Sequence, residues 1–166
     1  MTTMAETATT TRVFQVYIKA PAERIWDAIT KSEFTNRYGY GGNVEFDLRA
    51  GGIYKAFASE AMRQGGAPDV VVEGEVIEAD PPRRLVQTWH PVWDPQSAAE
   101  PPTRLTYEIE PGPGDVCKLT VVHELADAPS VEAIVTGSVA EAGGGWHYVL
   151  SDLKTLLETG RSLEES

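Results

Sequence analysis

Two periods divide this chain, because apolar residues return at every second position through most of its length and at every third or fourth position near its end. In RVFQVYIKA (12–20), Phe14, Val16 and Ile18 alternate with Gln15, Tyr17 and Lys19, which predicts a strand with one buried face. Pro21 suits the first turn of a helix, where a missing N–H costs nothing, and Ala22, Ile25 and Ile29 give that helix its inner stripe. Ser32 can cap a second short helix, SEFTNRY, and the glycines of YGYGG make the next segment a loop. Alternation resumes in NVEFDLR (43–49), with Val44, Phe46 and Leu48 on one side and Glu45, Asp47 and Arg49 on the other. Ala50-Gly51-Gly52 is a turn, so this segment and IYKAFAS should form a hairpin.

Further strands follow the break at Gln64-Gly65-Gly66-Ala67-Pro68: VVVEGEVIEA, then RRLVQTW with Leu85, Gln87 and Trp89 on one face. The proline-rich PVWDPQSAAEPPT (91–103) separates these from RLTYEIE, where Leu105, Tyr107 and Ile109 alternate. After the turn Pro111-Gly112-Pro113-Gly114-Asp115, CKLTVVHEL sets Cys117, Leu119, Val121 and His123 on one face. A segment capped at Ser130 or Ser138 leads to Gly143-Gly144-Gly145 and the closing WHYVLSDLKTLLETG. There Trp146, Val149, Leu150, Leu153 and Leu157 form the apolar stripe of one long helix, with His147, Ser151, Asp152, Lys154 and Glu158 opposite. Strands joined by tight turns mean an antiparallel sheet and an α+β fold. A large curved sheet gripping one long helix can enclose a cavity.

With 166 residues and 42% hydrophobic content, the chain has material for one core, expected over 12–160 between a threonine-rich disordered tail at 1–11 and a short tail at 161–166. A net charge of −11 repels phosphate backbones, which argues against nucleic acid and anionic membranes as partners. The opening MTTMAETATTT lacks the basic and apolar regions of a signal peptide, and no run is long enough for a membrane span, so the expected location is the cytoplasm.

The motifs that would carry chemistry read as structure. His90, His123, His147 and Cys117 show no metal-ligand spacing, so no metal or other cofactor is expected. A Cys117–His123 nucleophile pair fails on geometry, since six residues along a strand span roughly 20 Å. The carboxylate pairs Glu45/Asp47, Glu73/Glu75 and Glu108/Glu110 lie opposite apolar faces and read as solvated sheet surface. Gly143-Gly144-Gly145 has no following Lys-Ser/Thr and no preceding parallel strand, so it is no phosphate loop; slack or close packing at the helix start remains. No catalytic residue is assigned.

The opening strand with APAERIWDAIT, the hairpin FDLRAGGIYKA, GEVIEADPPRRLVQTW, the pair RLTYEIEPGPGD and KLTVVHEL, and the closing GGGWHYVLSDLKTLLETG together resemble the SRPBCC superfamily. Within it they are most similar to the branch of the activator of heat-shock-protein-90 ATPase homologue. The resemblance, shared with lipid-transfer START domains and the birch-pollen allergen fold, implies a helix-grip architecture: six to seven antiparallel strands around a long C-terminal helix, with two short helices after the first strand. It also implies a hydrophobic cavity. Where relatives often carry a Trp-rich loop after the first helix, this chain has Phe34-Thr35-Asn36-Arg37-Tyr38-Gly39-Tyr40, and its long segment 91–103 could serve as a flap.

The inward set Phe34, Phe46, Trp89, Tyr107, Val121, His123, Trp146 and Leu150 would in an arbitrary protein fill a core. In a helix-grip fold it becomes the candidate ligand-binding set, with His123, Tyr107 and Gln87 as the groups to meet a ligand's polar atom. The expected function is binding of a small hydrophobic or aromatic molecule, as carrier or sensor. Two alternatives stay open: stimulation of a heat-shock ATPase through protein contact, and a cyclase, aromatase or hydrolase activity resting on His123 with Tyr107.

Overall fold

A computed structural model describes residues 10–139 and 144–164. It contains seven strands, β1 (Thr11–Ile18), β2 (Val44–Phe46), β3 (Ile53–Phe57), β4 (Val70–Asp80), β5 (Arg84–Pro91), β6 (Thr103–Pro111) and β7 (Cys117–Glu124). Its helices are α1 (Ala22–Thr30), α2 (Ser32–Thr35), α3 (Glu60–Gln64), α4 (Pro95–Ala98), α5 (Pro129–Val135) and α6 (Gly145–Thr159). The strands form one antiparallel sheet in the order β1-β7-β6-β5-β4-β3-β2, so the first strand closes one edge and the first hairpin the other. This is the expected α+β helix-grip arrangement, with α6 lying against the concave face.

The period-two pattern sorts the faces. Phe14 and Ile18 on β1, Leu105 and Ile109 on β6, and Leu119 and Val121 on β7 are buried against α1 and α6. The sheet curves because its ladders are interrupted: register slips between Val76 and Glu78 on β4 and between Ala56 and Phe57 on β3. Gly74 sits beside the first of these, where an added Cβ would stand 2.0 Å from the Thr88 carbonyl oxygen. Only a residue without a side chain lets β4 and β5 approach there.

Several local expectations are corrected. Ser32 does not cap α2 but lies within it, and its Oγ both accepts from the Val44 N–H and donates to the Val44 carbonyl, pinning α2 to β2. α5 begins after Ala128, so neither Ser130 nor Ser138 caps it; the Glu100 carboxylate receives the Ser130 and Val131 N–H groups instead, at 2.9 and 3.1 Å. The pairing of NVEFDLR stops at Phe46, leaving Leu48 37% exposed. The segment 91–103 contains α4, capped by Asp94 through Ser97, and is tethered by His90 Nε2 to the carbonyls of Ala98 and Glu100.

Asp152, placed by periodicity on the polar side of α6, is buried at 2% exposure. Its two oxygens accept the Gly39 N–H at 2.8 Å and the Leu163 N–H at 2.7 Å, so it fastens both the loop after α2 and residues 161–164 onto the helix. Of the glycines before α6, Gly143 lies outside the described residues, as does most of the tail expected at 1–11, while Thr11 already belongs to β1. Gly145 takes a φ of +68°, and a Cβ there would meet the Val135 carbonyl oxygen at 2.4 Å, which is the close-packing reading of that cluster.

Candidate functional site

Between α6 and the curved sheet the structure leaves a chamber of about 340 Å³. Its helical wall is the stripe Trp146, Val149, Leu150 and Leu153. Opposite stand Val44 and Phe46 of β2, Tyr54 and Ala56 of β3, Val71 and Val72 of β4, Trp89 of β5 and Tyr107 of β6. Tyr40 and Trp93 line it too, and at 41% and 37% exposure they mark its rim, with Gly41, Gly42, Met62 and Ala67 nearby on the wall. Among the described residues, nine aromatic side chains face this space, and none of the lining residues carries a charge.

The aromatic walls are organised by register. Phe46 pairs with Tyr54 across the first hairpin, which brings their rings to 4.6 Å between centroids. Tyr107 meets the Trp146 indole edge to face at 5.8 Å, joining the sheet to the first turn of α6.

Besides Tyr40 at the rim, three phenols line the chamber. Tyr38 donates its hydroxyl proton to the Ala28 carbonyl at 2.8 Å, which anchors the loop after α2. Burial pushes the phenol of Tyr38 up, with Tyr54 and Asp152 adding to the rise. Burial likewise raises Tyr54, partly offset by the neighbouring Trp89. Tyr107 is raised well above the ordinary phenol range by burial, then by Tyr54 and Tyr38. All three therefore stay protonated through the physiological range.

His123 belongs to a different structure. It is fully buried, its Nδ1 accepts the Trp146 indole N–H at 3.1 Å, and its Nε2 lies 2.8 Å from the Thr103 hydroxyl. Since Nδ1 accepts, the proton sits on Nε2 and is donated to Thr103, whose own hydroxyl proton goes to the Trp89 carbonyl at 2.7 Å. Burial lowers the imidazole pKa from 6.5 to about 3, so it is neutral and saturated. The His123–Tyr107 acid–base pair is thus not assembled: the Trp146 ring contacts both residues, and His123 bonds to Thr103 and Trp146 rather than to the phenol.

Of the nine residues singled out by pattern, Phe46, Trp89, Tyr107, Trp146 and Leu150 are on the chamber wall. Phe34, Gln87, Val121 and His123 are not among its lining residues. Phe34 packs half-buried on α2 against the core, and Val121 fills the layer beneath, paired in register with Tyr107 and Phe14. Gln87 is fully buried, donates weakly to the Thr88 carbonyl at 3.2 Å and leaves its Oε1 without a partner among the described residues. Tyr38, Tyr54 and Trp93 are wall residues that the pattern did not nominate.

The other candidate chemistries resolve as surface or core. Glu108 is bonded to Arg84 across the strands, Glu110 lies 3.8 Å from Lys118, and Glu45, Glu73 and Glu75 are exposed. Cys117 is buried, and desolvation pushes its thiol up. Among the described residues no three His, Cys, Asp or Glu side chains cluster to hold a metal, and no helix is long and apolar enough to cross a membrane.

The sequence matches the family model described as activator of Hsp90 ATPase homolog 1-like protein over residues 19–158. The chain belongs to this family. Similar solved structures include the protein SSP2350 from Staphylococcus saprophyticus, with a TM-score of 0.66 and 16% identity, covering 95% of this chain and 98% of that chain. CalU16 from Micromonospora echinospora has a TM-score of 0.56 and 22% identity, covering 81% and 71%. PFC0360w, an HSP90 activator from Plasmodium falciparum, has a TM-score of 0.55 and 22% identity, covering 92% and 90%. At these identities the likeness is one of fold. A search of curated proteins returned no match.

Proposed function

We propose that this member of the activator of Hsp90 ATPase homolog 1-like family is a carrier or sensor that takes a small, uncharged, largely aromatic molecule into the chamber under α6. The observation that carries this reading is the wall itself: among the described residues, nine aromatic side chains and no charge around about 340 Å³. Ligand sites are typically concave, mostly apolar spaces of about 300–1,000 Å³ with few polar groups. An apolar cavity of about 150 Å³ accommodates one benzene ring, so this one has room for two or three fused rings. Uptake without chemistry is favoured because general acid–base catalysis needs a group that titrates near the working pH, whereas the wall phenols are raised out of that range.

The alternative, contact with a chaperone, draws on the HSP90 activator of similar fold. A docking patch outside the chamber would favour it. Among the described residues the exposed large apolar side chains are instead scattered: Val13 and Tyr17 on β1, Leu48, Ile53 and Ile77 around β2, β3 and β4 at the other edge of the sheet, Tyr40 and Trp93 at the chamber rim, and Leu163 after α6.

Native mass spectrometry of the purified protein, set beside the denatured mass and an organic extract, tests the carrier reading. A co-purifying neutral aromatic compound is the expected result. An apo mass, combined with no change in tryptophan emission on titrating polycyclic aromatic probes, would remove it.

A further inference from the structure

We propose that the hydroxyl of Thr35 is the chamber's polar anchor, and that it selects ligands carrying a neutral hydroxyl or carbonyl oxygen on an otherwise apolar aromatic frame. The inference rests on the carrier reading above and specifies its ligand.

Two buried side-chain oxygens have no hydrogen-bond partner among the described residues, Oε1 of Gln87 and Oγ1 of Thr35. Gln87 stands outside the chamber, whereas Thr35 is one of its wall residues and is 9% exposed. A helical threonine commonly gives its hydroxyl proton to the carbonyl one turn back. Thr30, Thr155 and Thr159 do so here, to Trp26, Ser151 and Thr155 at 2.9, 2.9 and 2.8 Å. Thr136, at the end of α5, bonds to Glu132 at 2.8 Å in the same way. Thr35 alone among the described helical threonines does not. The Lys31 carbonyl it would use already accepts the Phe34 and Thr35 N–H groups, at 3.0 and 3.1 Å.

The segment that carries this oxygen is fastened in place. Just after Thr35, Arg37 donates to the Gly160 carbonyl, the Tyr38 hydroxyl to the Ala28 carbonyl and the Gly39 N–H to Asp152. Tyr38 and residues 39–42 of the same segment continue the chamber wall. Rotation about the Cα–Cβ bond of Thr35 carries its oxygen between staggered positions without moving this backbone, so a polar atom inside the chamber can supply the missing partner. A buried hydroxyl without a partner keeps its full desolvation cost, and a ligand that completes the bond recovers it. Because a hydroxyl both donates and accepts, it suits an alcohol, phenol or ketone oxygen. The group must be neutral, since among the described residues no cation lines the wall to receive a carboxylate.

The test uses two neutral probes of nearly one shape, 2-naphthol, which carries a hydroxyl, and 2-methylnaphthalene, which has a methyl group in its place. Both are titrated by calorimetry at neutral pH into the full chain and its Thr35→Val and Thr35→Ser variants, and each protein is also unfolded thermally without ligand. The expected result is a preference of about tenfold for the naphthol in the unaltered protein and in Thr35→Ser. It should collapse toward unity in Thr35→Val, which keeps the shape of threonine without its oxygen. Without ligand, Thr35→Val should unfold no lower than the unaltered protein, with a rise of up to about 4 °C, because it removes an unsatisfied oxygen. Equal binding of the two probes by the unaltered protein, an undiminished preference in Thr35→Val, or a lowered midpoint in that variant overturns the anchor and leaves the carrier reading standing. Binding of neither probe to the unaltered protein overturns both.

Discussion

Acid should weaken this protein through one buried imidazole, and the size of the effect follows from the structure. Unfolded, His123 takes its proton near pH 6.5; folded, it does so only near 3. Between those values the unfolded chain holds one more proton than the native state, so stability is complete above pH 6.5 and falls as the pH is lowered through it. One pKa unit corresponds to about 1.4 kcal/mol, so lowering the pH from 7.5 to 5 should cost about 2 kcal/mol from this residue alone. The ceiling, reached near pH 3, is roughly 5 kcal/mol, a large share of the 5–15 kcal/mol typical of a domain. The cause is structural: Nδ1 is already an acceptor for Trp146, so a second proton on the ring would turn that hydrogen bond into a collision of donors. Urea denaturation at pH 7.5, 6.5, 5.8 and 5 on the unaltered protein and on His123→Gln isolates the effect, because His90 and His147 are common to both. Glutamine can still accept from Trp146 and donate to Thr103 yet cannot titrate. The difference between the two should narrow by about 2 kcal/mol across this range. Parallel pH curves would show that the imidazole is not held neutral by the Trp146–Thr103 chain.

Two further outcomes follow from α6. Asp152→Ala removes the acceptor of the Gly39 and Leu163 N–H groups, and should cost about 3 kcal/mol and speed hydrogen exchange at both amides; exchange rates unchanged at Gly39 would contradict its role as the tether. Leu153→Asp places a carboxylate without a cation at a position 1% exposed, and should abolish the cooperative transition in thermal unfolding; its retention would mean α6 is seated differently.

How much was legible in the sequence depended on periodicity. Most strand faces were readable because burial on one side imposes a period of two, and the two clearest strands, β6 and β7, carry the wall residue Tyr107 and the buried His123. What alternation cannot show is depth along the face. Val121 and His123 share their face with Leu119, which lies on the chamber wall, yet they sit beside and beneath it, and the distance from His123 to Trp146 is a tertiary fact. Tyr54 had a signal that went unused, since the Ala50-Gly51-Gly52 turn sets it directly opposite Phe46. Tyr38 had none, because a loop has no period. Asp152 misled for a related reason: its partners are backbone N–H groups of a loop and of the chain end, which no side-chain pattern records.

The uncharged wall has a consequence for how a cargo would leave. Many carriers surrender what they hold when protonation or salt breaks an ionic contact, but here neither acidification to pH 5 nor a rise in ionic strength alters any group the cargo would touch. Delivery would depend instead on the concentration of free cargo and on the movement of the rim around Tyr40 and Trp93. A carrier built in this way would exchange its contents with whatever apolar phase or acceptor surface it met.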